Sequence, residues 1–241
     1  MKIGKRLQNI EAMVEPGYTH IWDCCCDHGL LGAALLSRRA APVIHFVDIV
    51  PSLMDELETR LRQFYPAMAP QAPPSASLST WQLHCIDVAT LPLSLHDGKQ
   101  LVIIAGVGGD LMVKLVSAIH KANPDADIDF LLCPVHHQYT LRQQLIRLNF
   151  HLQQERLLEE NRRFYELLLV STRANTHQRR TRVSAVGKQL WQARSPEQAD
   201  TASRYLNQTL GHYQRMQQGQ HAEVFHIIEA YQAITIRQHG G

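Results

Sequence analysis

The 241-residue chain has no run of 18 uninterrupted apolar residues, so no segment reads as a membrane-spanning helix. Its start, Met1-Lys2-Ile3-Gly4-Lys5-Arg6, leads into a mixed polar segment with no apolar stretch and no small-residue cleavage site. The expectation is a cytoplasmic protein with no membrane partner. Cysteine is scarce and odd in number: Cys24, Cys25, Cys26, Cys85 and Cys133 lie in or beside apolar runs, where free thiols behave as small hydrophobes. No disulfide framework is expected. The G-x-G-x-x-G fingerprint and the Walker loop are both missing, which leaves no case for a pyrophosphate cradle, and no G-x-S-x-G elbow provides a serine nucleophile. There is no internal repeat.

What is present is ordinary globular material, 45% hydrophobic and 19% charged, which excludes disorder and collagen-like structure. The net charge of +2 is unevenly placed. Residues 1–173 hold 16 Lys and Arg against 18 Asp and Glu, whereas residues 174–241 hold 8 against 4. The basic cluster Arg173, Arg179, Arg180, Arg182 and Lys188 is suited to phosphate contact or, equally, to a solvated helical face.

Between residues 19 and 171, short apolar runs alternate with helix-period segments, the pattern of a largely parallel sheet covered on both faces. Strands are expected at 19–24, 43–48, 81–86, 100–105, 129–133, 151–158 and 164–171, with helices at 30–39, 52–65, 110–121 and 139–148. Only Glu159–Arg163 joins the last two strands, too short for a crossover, so they form an antiparallel hairpin. The fold class that follows is α/β: a Rossmann-like, seven-stranded, mostly parallel sheet with one reversed strand. Pro66–Thr80, with four prolines, reads as an extended loop. Beyond Asn175 only helix periodicity remains: Ala202, Tyr205, Leu206, Thr209, Leu210, Tyr213 and Met216, then Val224, Ile227, Ile228, Tyr231 and Ile234. This predicts an antiparallel helical hairpin over 174–241, appended to an α/β domain at 1–173 that carries a short N-terminal helix.

Open α/β sheets bind ligands outside the carboxyl ends of their strands. Here the first strand runs into Asp23-Cys24-Cys25-Cys26-Asp27-His28-Gly29, the second ends in Asp48, the third in Asp87 and the fourth in Gly106-Val107-Gly108-Gly109. Carboxylates at the second and third tips suit ribose hydroxyls and an exocyclic amine, the needs of an adenosine cofactor bound without phosphates, such as S-adenosylmethionine. Each has a structural alternative: Asp48 as a cap for the helix at Pro51, Asp87 as a loop residue, and the glycines as tight-turn formers. Three consecutive cysteines cannot converge on one tetrahedral ion, because successive strand side chains point to opposite faces. The 14 histidines, His136 and His137 among them, read as loop residues rather than ligands, so no metal is expected.

Residues 3–171, and more loosely the tail, resemble the bacterial tRNA (adenine-N1)-methyltransferases of the TrmK type, which methylate adenine 22 in the D-loop. The family's Asp-Ile-Gly-(Ser/Thr)-Asp-His motif is similar to Asp23-Cys24-Cys25-Cys26-Asp27-His28, and its Ala-Gly-Met-Gly-Gly to Ala105-Gly106-Val107-Gly108-Gly109. Leu132-Cys133-Pro134-Val135 with Leu141-Arg142, then Glu155, Glu159, Tyr165 and Glu166, follow in the family's order, and Lys5-Arg6-Leu7 matches an early Arg-Leu. The chain departs where the first motif's Gly is Cys25, where the acid after strand two is Asp48 behind Val47, and where Val135 replaces Asn.

The resemblance implies S-adenosylmethionine as cofactor, tRNA as partner, and a monomer or weak dimer. It implies Asp27 and His28 as catalytic residues and a cofactor site of Asp23, Cys25, Asp48, Ile49, Asp87, Val88, Ala105 and Gly106. Arg6, Gly108, Gly109, Arg142 and Arg180 are implied for substrate. Two alternatives stand beside it: a methyltransferase of another RNA, a small molecule or a protein, and a non-catalytic RNA-binding protein whose cofactor pocket has decayed around Cys25.

Overall fold

A strand buried on both faces is mostly apolar, and the inner strands β1 (His20–Cys24), β2 (Val43–Asp48), β4 (Gln100–Ala105) and β5 (Ile128–Cys133) fit that pattern, while β3 (Thr80–Cys85), at the sheet edge, buries only Trp81. In the computed structural model, which describes residues 3–68, 79–173, 181–219 and 223–238, these five pair in parallel. β6 (His151–Glu160) and β7 (Arg163–Ser171) form the expected antiparallel hairpin, turned by Asn161 and Arg162 with φ of 52° and 61°, the left-handed pair a tight hairpin turn requires. The order across the sheet is β3-β2-β1-β4-β5-β7-β6. Strand sequence therefore reverses direction between β1 and β4.

α1 (Lys5–Ala12), α2 (Leu30–Ser37) and α3 (Pro51–Phe64) bring residues to one face, where Ile10, Leu35 and Leu57 join Phe46 and Trp81 of the strands. α4 (Gly109–Ala122) and α5 (Gln138–Arg147) cover the other, packing Met112, Val116 and Leu145 against Val102 and Phe130. The connection from β3 to β4 has no α-helix. It consists of two short 3₁₀ turns, Val88–Thr90 and Leu93–Leu95, laid over the sheet face. Of the Pro-rich loop, Pro66–Met68 forms a 3₁₀ turn and residues 69–78 lie outside the described residues.

Among the described residues the tail forms two α-helices. α6 (Pro196–Gln218) starts with Pro at its first position, and the Ser195 hydroxyl accepts a hydrogen bond from the Gln198 amide at 3.3 Å. α7 (Phe225–Gln232) packs beside it, and β8 (Gln192–Ala193) pairs in parallel with β9 (Arg237–Gln238). The apolar seam between the helices is not closed on itself. Tyr205 and Tyr231 share one cluster with Tyr139 of α5 and with Leu157 and Phe164 of the hairpin, so the tail shares a core with the sheet. No described helix is long and apolar enough to cross a membrane.

Candidate active site

The site grows from the turn after β1. Cys25 and Asp27 carry φ of 54° and 49°, left-handed values that L side chains adopt at a cost, and Gly29 follows at 67°. This coil folds the chain back so that the Cys26 amide donates to Val47 O and the Asp27 amide donates to Asp48 Oδ2 at 3.1 Å. The turn is thereby bolted to the tip of β2. Cys25 stands in the left-handed conformation, at the position where the TrmK-type motif has Gly.

A cavity of about 230 Å³ opens at the point between β1 and β4 where strand order reverses, the place where open α/β sheets take ligands. Its walls include Asp23, Cys25, Asp27 and His28 from the β1 turn, Ala105 and Gly106 from the end of β4, and Arg6 from α1. Asp23 is 4% exposed, and its Oδ2 accepts a hydrogen bond from the Gly32 amide at 2.8 Å. Burial raises its pKa to about 7, with the Gly32 bond pulling in the opposite direction. The Cys25 thiol is pushed up to about 11 by burial and then by the Asp48 charge, so it remains neutral. Asp27 and His28 are exposed at the mouth, with His28 Nε2 3.7 Å from Asp27 Oδ1. Gly106 has φ of 91°, and a Cβ there would meet the Arg6 guanidinium at 3.4 Å.

Asp48 and Ile49 stand next to this cavity, outside its walls. The Asp48 carboxylate is partly exposed and accepts from the Val50 amide at 3.2 Å as well as from Asp27. Ile49 is 65% exposed, an apolar side chain left in the open beside a carboxylate. Asp87 accepts from the Ala89 amide at 2.8 Å and so caps the first 3₁₀ turn, the loop role foreseen as its alternative. Val88 is buried, its side chain in the core beneath this turn.

Three expected substrate residues behave otherwise. A Cβ on Gly108 would lie 2.3 Å from the His136 ring and one on Gly109 2.5 Å from His137 O, so both glycines accommodate the His136–His137 segment. Arg142 is a correction: it is completely buried and cannot reach an RNA. Its Nε donates to Glu166 Oε2 at 2.7 Å, its Nη2 pairs with Glu155 Oε2 at 2.8 Å and its Nη1 donates to Ser184 O at 3.0 Å. Tyr205 of α6 donates to the other Glu166 oxygen at 2.6 Å. The Arg and two of the Glu residues of the resemblance thus form a buried clamp joining α5, the hairpin and the tail. Arg180 lies outside the described residues. Sequence reading missed Leu7, Cys26, Leu30 and Leu31 in the cavity wall; the last two were available as the opening residues of the helix after the motif. Tyr165, under the Arg6 guanidinium at 5.3 Å, carried no signal of that role.

Comparison with solved structures places this fold among known ones. The Bacillus subtilis m1A22 tRNA methyltransferase TrmK is 19% identical with a TM-score of 0.64, covering 96% of this chain and 93% of its own. TrmK from M. capricolum, solved with S-adenosyl-homocysteine, is 14% identical with a TM-score of 0.67 over 96% and 94%. Streptococcus pneumoniae Sp1610, solved with S-adenosyl-L-methionine, is 15% identical with a TM-score of 0.63 over 96% and 98%. A search of the curated proteins returned no match. The family model described as a methyltransferase domain matches residues 3–168, a span that holds every wall of the cavity, and the chain belongs to that methyltransferase-domain family.

Proposed function

We propose that the chain is an S-adenosylmethionine-dependent methyltransferase acting on N1 of an adenine in the tRNA D-loop, position 22 by resemblance. The observation that carries this reading is the cavity at the strand-order reversal, with a buried acid on its floor and an exposed acid at its mouth. The residues fit the cofactor. Asp23, at the end of β1, suits the amino group of the methionine portion; Asp48 has lone pairs left for ribose hydroxyls; exposed Ile49 suits one face of the adenine, with Asp87 and the Val88 backbone at its edge. Asp48 and Asp87 extend the site beyond the 230 Å³ cavity, which takes the amino-acid end. When bound, S-adenosylmethionine supplies an electrophilic sulfonium methyl group.

This chain's residues then orient the base. Adenine N1 carries an in-plane lone pair, so transfer depends on in-line placement more than on a strong base. Asp27, exposed beside the cavity, accepts a hydrogen bond from the adenine N6 amino group and stabilises the positive charge that develops on the ring. His28 orients Asp27. Arg6, on the opposite lip, faces the RNA backbone. Because the N1 edge is hidden in folded tRNA, the base must leave its stack.

The test is calorimetric titration with S-adenosylhomocysteine, followed by methyl transfer to unmodified tRNA. Binding with transfer supports the reading. Binding without transfer to any tRNA favours another substrate, and no binding favours a decayed pocket.

A further inference from the structure

Parallel pairing gathers four histidines that are far apart in sequence. His20 opens β1, His45 lies in β2, His84 in β3, and His96 follows the second 3₁₀ turn of the β3–β4 connection. His20, His45 and His84, together with Trp22, share the sheet face that this connection covers, with His20 at the end of β1 away from the cavity. The general expectation of loop histidines fails for His20, His45 and His84, which fall inside the strands expected at 19–24, 43–48 and 81–86; what the sequence does not give is that these strands become neighbours.

From this arrangement we propose that His20, His45 and His96 form a binding site for a borderline divalent transition ion of the Zn²⁺ class. Their ligand nitrogens all lie within 4.8 Å of one another. His20 Nδ1 and His45 Nε2 already face each other at 2.9 Å, close to the ~3.3 Å that separates two nitrogens on a tetrahedral zinc with ordinary bond lengths. The central ligand is preorganised. Trp22 stacks on His45 with ring centroids 3.7 Å apart and planes 6° apart, and the Trp22 indole donates to Gln100 Oε1 at 3.0 Å. Gln100 in turn donates to the carbonyls of Leu93 and His96, which pins the backbone that presents His96.

The outer nitrogen of His45 has the partner a metal-bound imidazole needs, since Nδ1 lies 2.9 Å from His84 Nε2 and can donate there, leaving Nε2 bare for the ion. The proton now shared between His20 and His45 moves to the far nitrogen of His20. Burial, followed by the neighbouring imidazoles, lowers His45 below its usual range, so its ring is neutral and available for ligation. His20 and His96 are half-exposed, which gives the ion a path in and leaves its fourth position to water. Three imidazoles suit Zn²⁺, Cu²⁺ or Ni²⁺ and not Mg²⁺ or Ca²⁺, which take oxygen ligands. Bound there, the ion would staple the β3–β4 connection to β1 and β2.

The experiment is titration of untagged protein with ZnCl₂ by calorimetry, with melting curves in parallel. It compares the wild type with His20→Ala, His96→Ala and a His136→Ala/His137→Ala control from outside the cluster. One Zn²⁺ per chain is expected at micromolar affinity or tighter, with a melting-temperature rise of about 5 °C at saturating zinc. His20→Ala and His96→Ala should each weaken binding by about tenfold or more, and the control should leave it unchanged. Because both altered side chains are half-exposed, the metal-free variants should melt close to the wild type, and this comparison separates a missing ligand from a damaged fold. The proposal is overturned if wild type binds no zinc, if the cluster variants bind as tightly as wild type, or if Mg²⁺ produces the same shift.

Discussion

Asp23 couples the site to pH. With its pKa raised to about 7 by burial, the carboxyl is half neutral in the middle of the physiological range. An ammonium group binds the ionised form better, so affinity for S-adenosylhomocysteine should rise between about pH 6 and about pH 7.5, by up to tenfold per unit below the pKa. Asp23→Asn should flatten that dependence in calorimetry; a wild-type affinity independent of pH would remove Asp23 from the cofactor contacts. Stability runs the other way, since the neutral form that burial favours is lost as pH rises through about 7. Cys25, left-handed at φ of 54° and lining the cavity, gives a second residue-scale expectation. Cys25→Gly removes both the strained Cβ and the thiol, so cofactor affinity should increase while stability stays within about 1 kcal/mol. Weaker binding would show that the thiol is a contact. Asp27→Ala should lower methyl transfer by about 10²-fold or more and leave cofactor affinity near wild type.

At the scale of elements, the Arg142 clamp explains residues that otherwise look functional. Arg142→Ala would leave Glu155 and Glu166 buried without their counter-charge, at a cost of about 3–5 kcal/mol in urea unfolding. An unchanged unfolding midpoint with weakened tRNA binding would return Arg142 to the substrate. The strands and their tips could be read from the sequence because a doubly covered parallel strand is a mostly apolar run, and Asp23, Asp48 and Asp87 stand at or just past the ends of three of them. Arg142 could not be read, because an arginine on a short helix looks solvated until the hairpin and tail bring Glu155, Glu166 and Tyr205 around it. The histidine cluster stayed hidden for a similar reason: it exists only in the register that sets Trp22 opposite His45. The glycines after β4 could be read as special, but not for what, since their neighbour is the distant His136–His137 segment.

For the whole molecule, the acidic body and basic tail leave RNA contact to local patches. Arg38 is committed elsewhere, paired with Glu11 and donating to Val14 O. Arg182 and Lys188 are exposed; the Arg182 backbone is bridged to His151 and the Lys188 backbone amide donates to Glu155. Deleting the tail would uncover Tyr139 and Phe164 and strip Tyr205 from Glu166, so it would damage the fold as well as any RNA contact. Arg182→Ser with Lys188→Ser avoids that damage. This pair should weaken tRNA binding and reduce the slope of log affinity against log salt by about 0.7–0.9 for each phosphate that the variant no longer neutralises, with cofactor affinity unchanged. Equal slopes would assign the basic cluster to solvent.

The central claim joins a cofactor pocket to one atom of one base. Its most direct measurement is nucleoside analysis of unmodified tRNA after incubation with the protein and S-adenosylmethionine, with the modified position mapped. The account predicts 1-methyladenosine in the D-loop, formed by wild type and nearly absent with Asp27→Ala. Methylation at another atom or another nucleotide, or transfer that Asp27→Ala leaves intact, would contradict it.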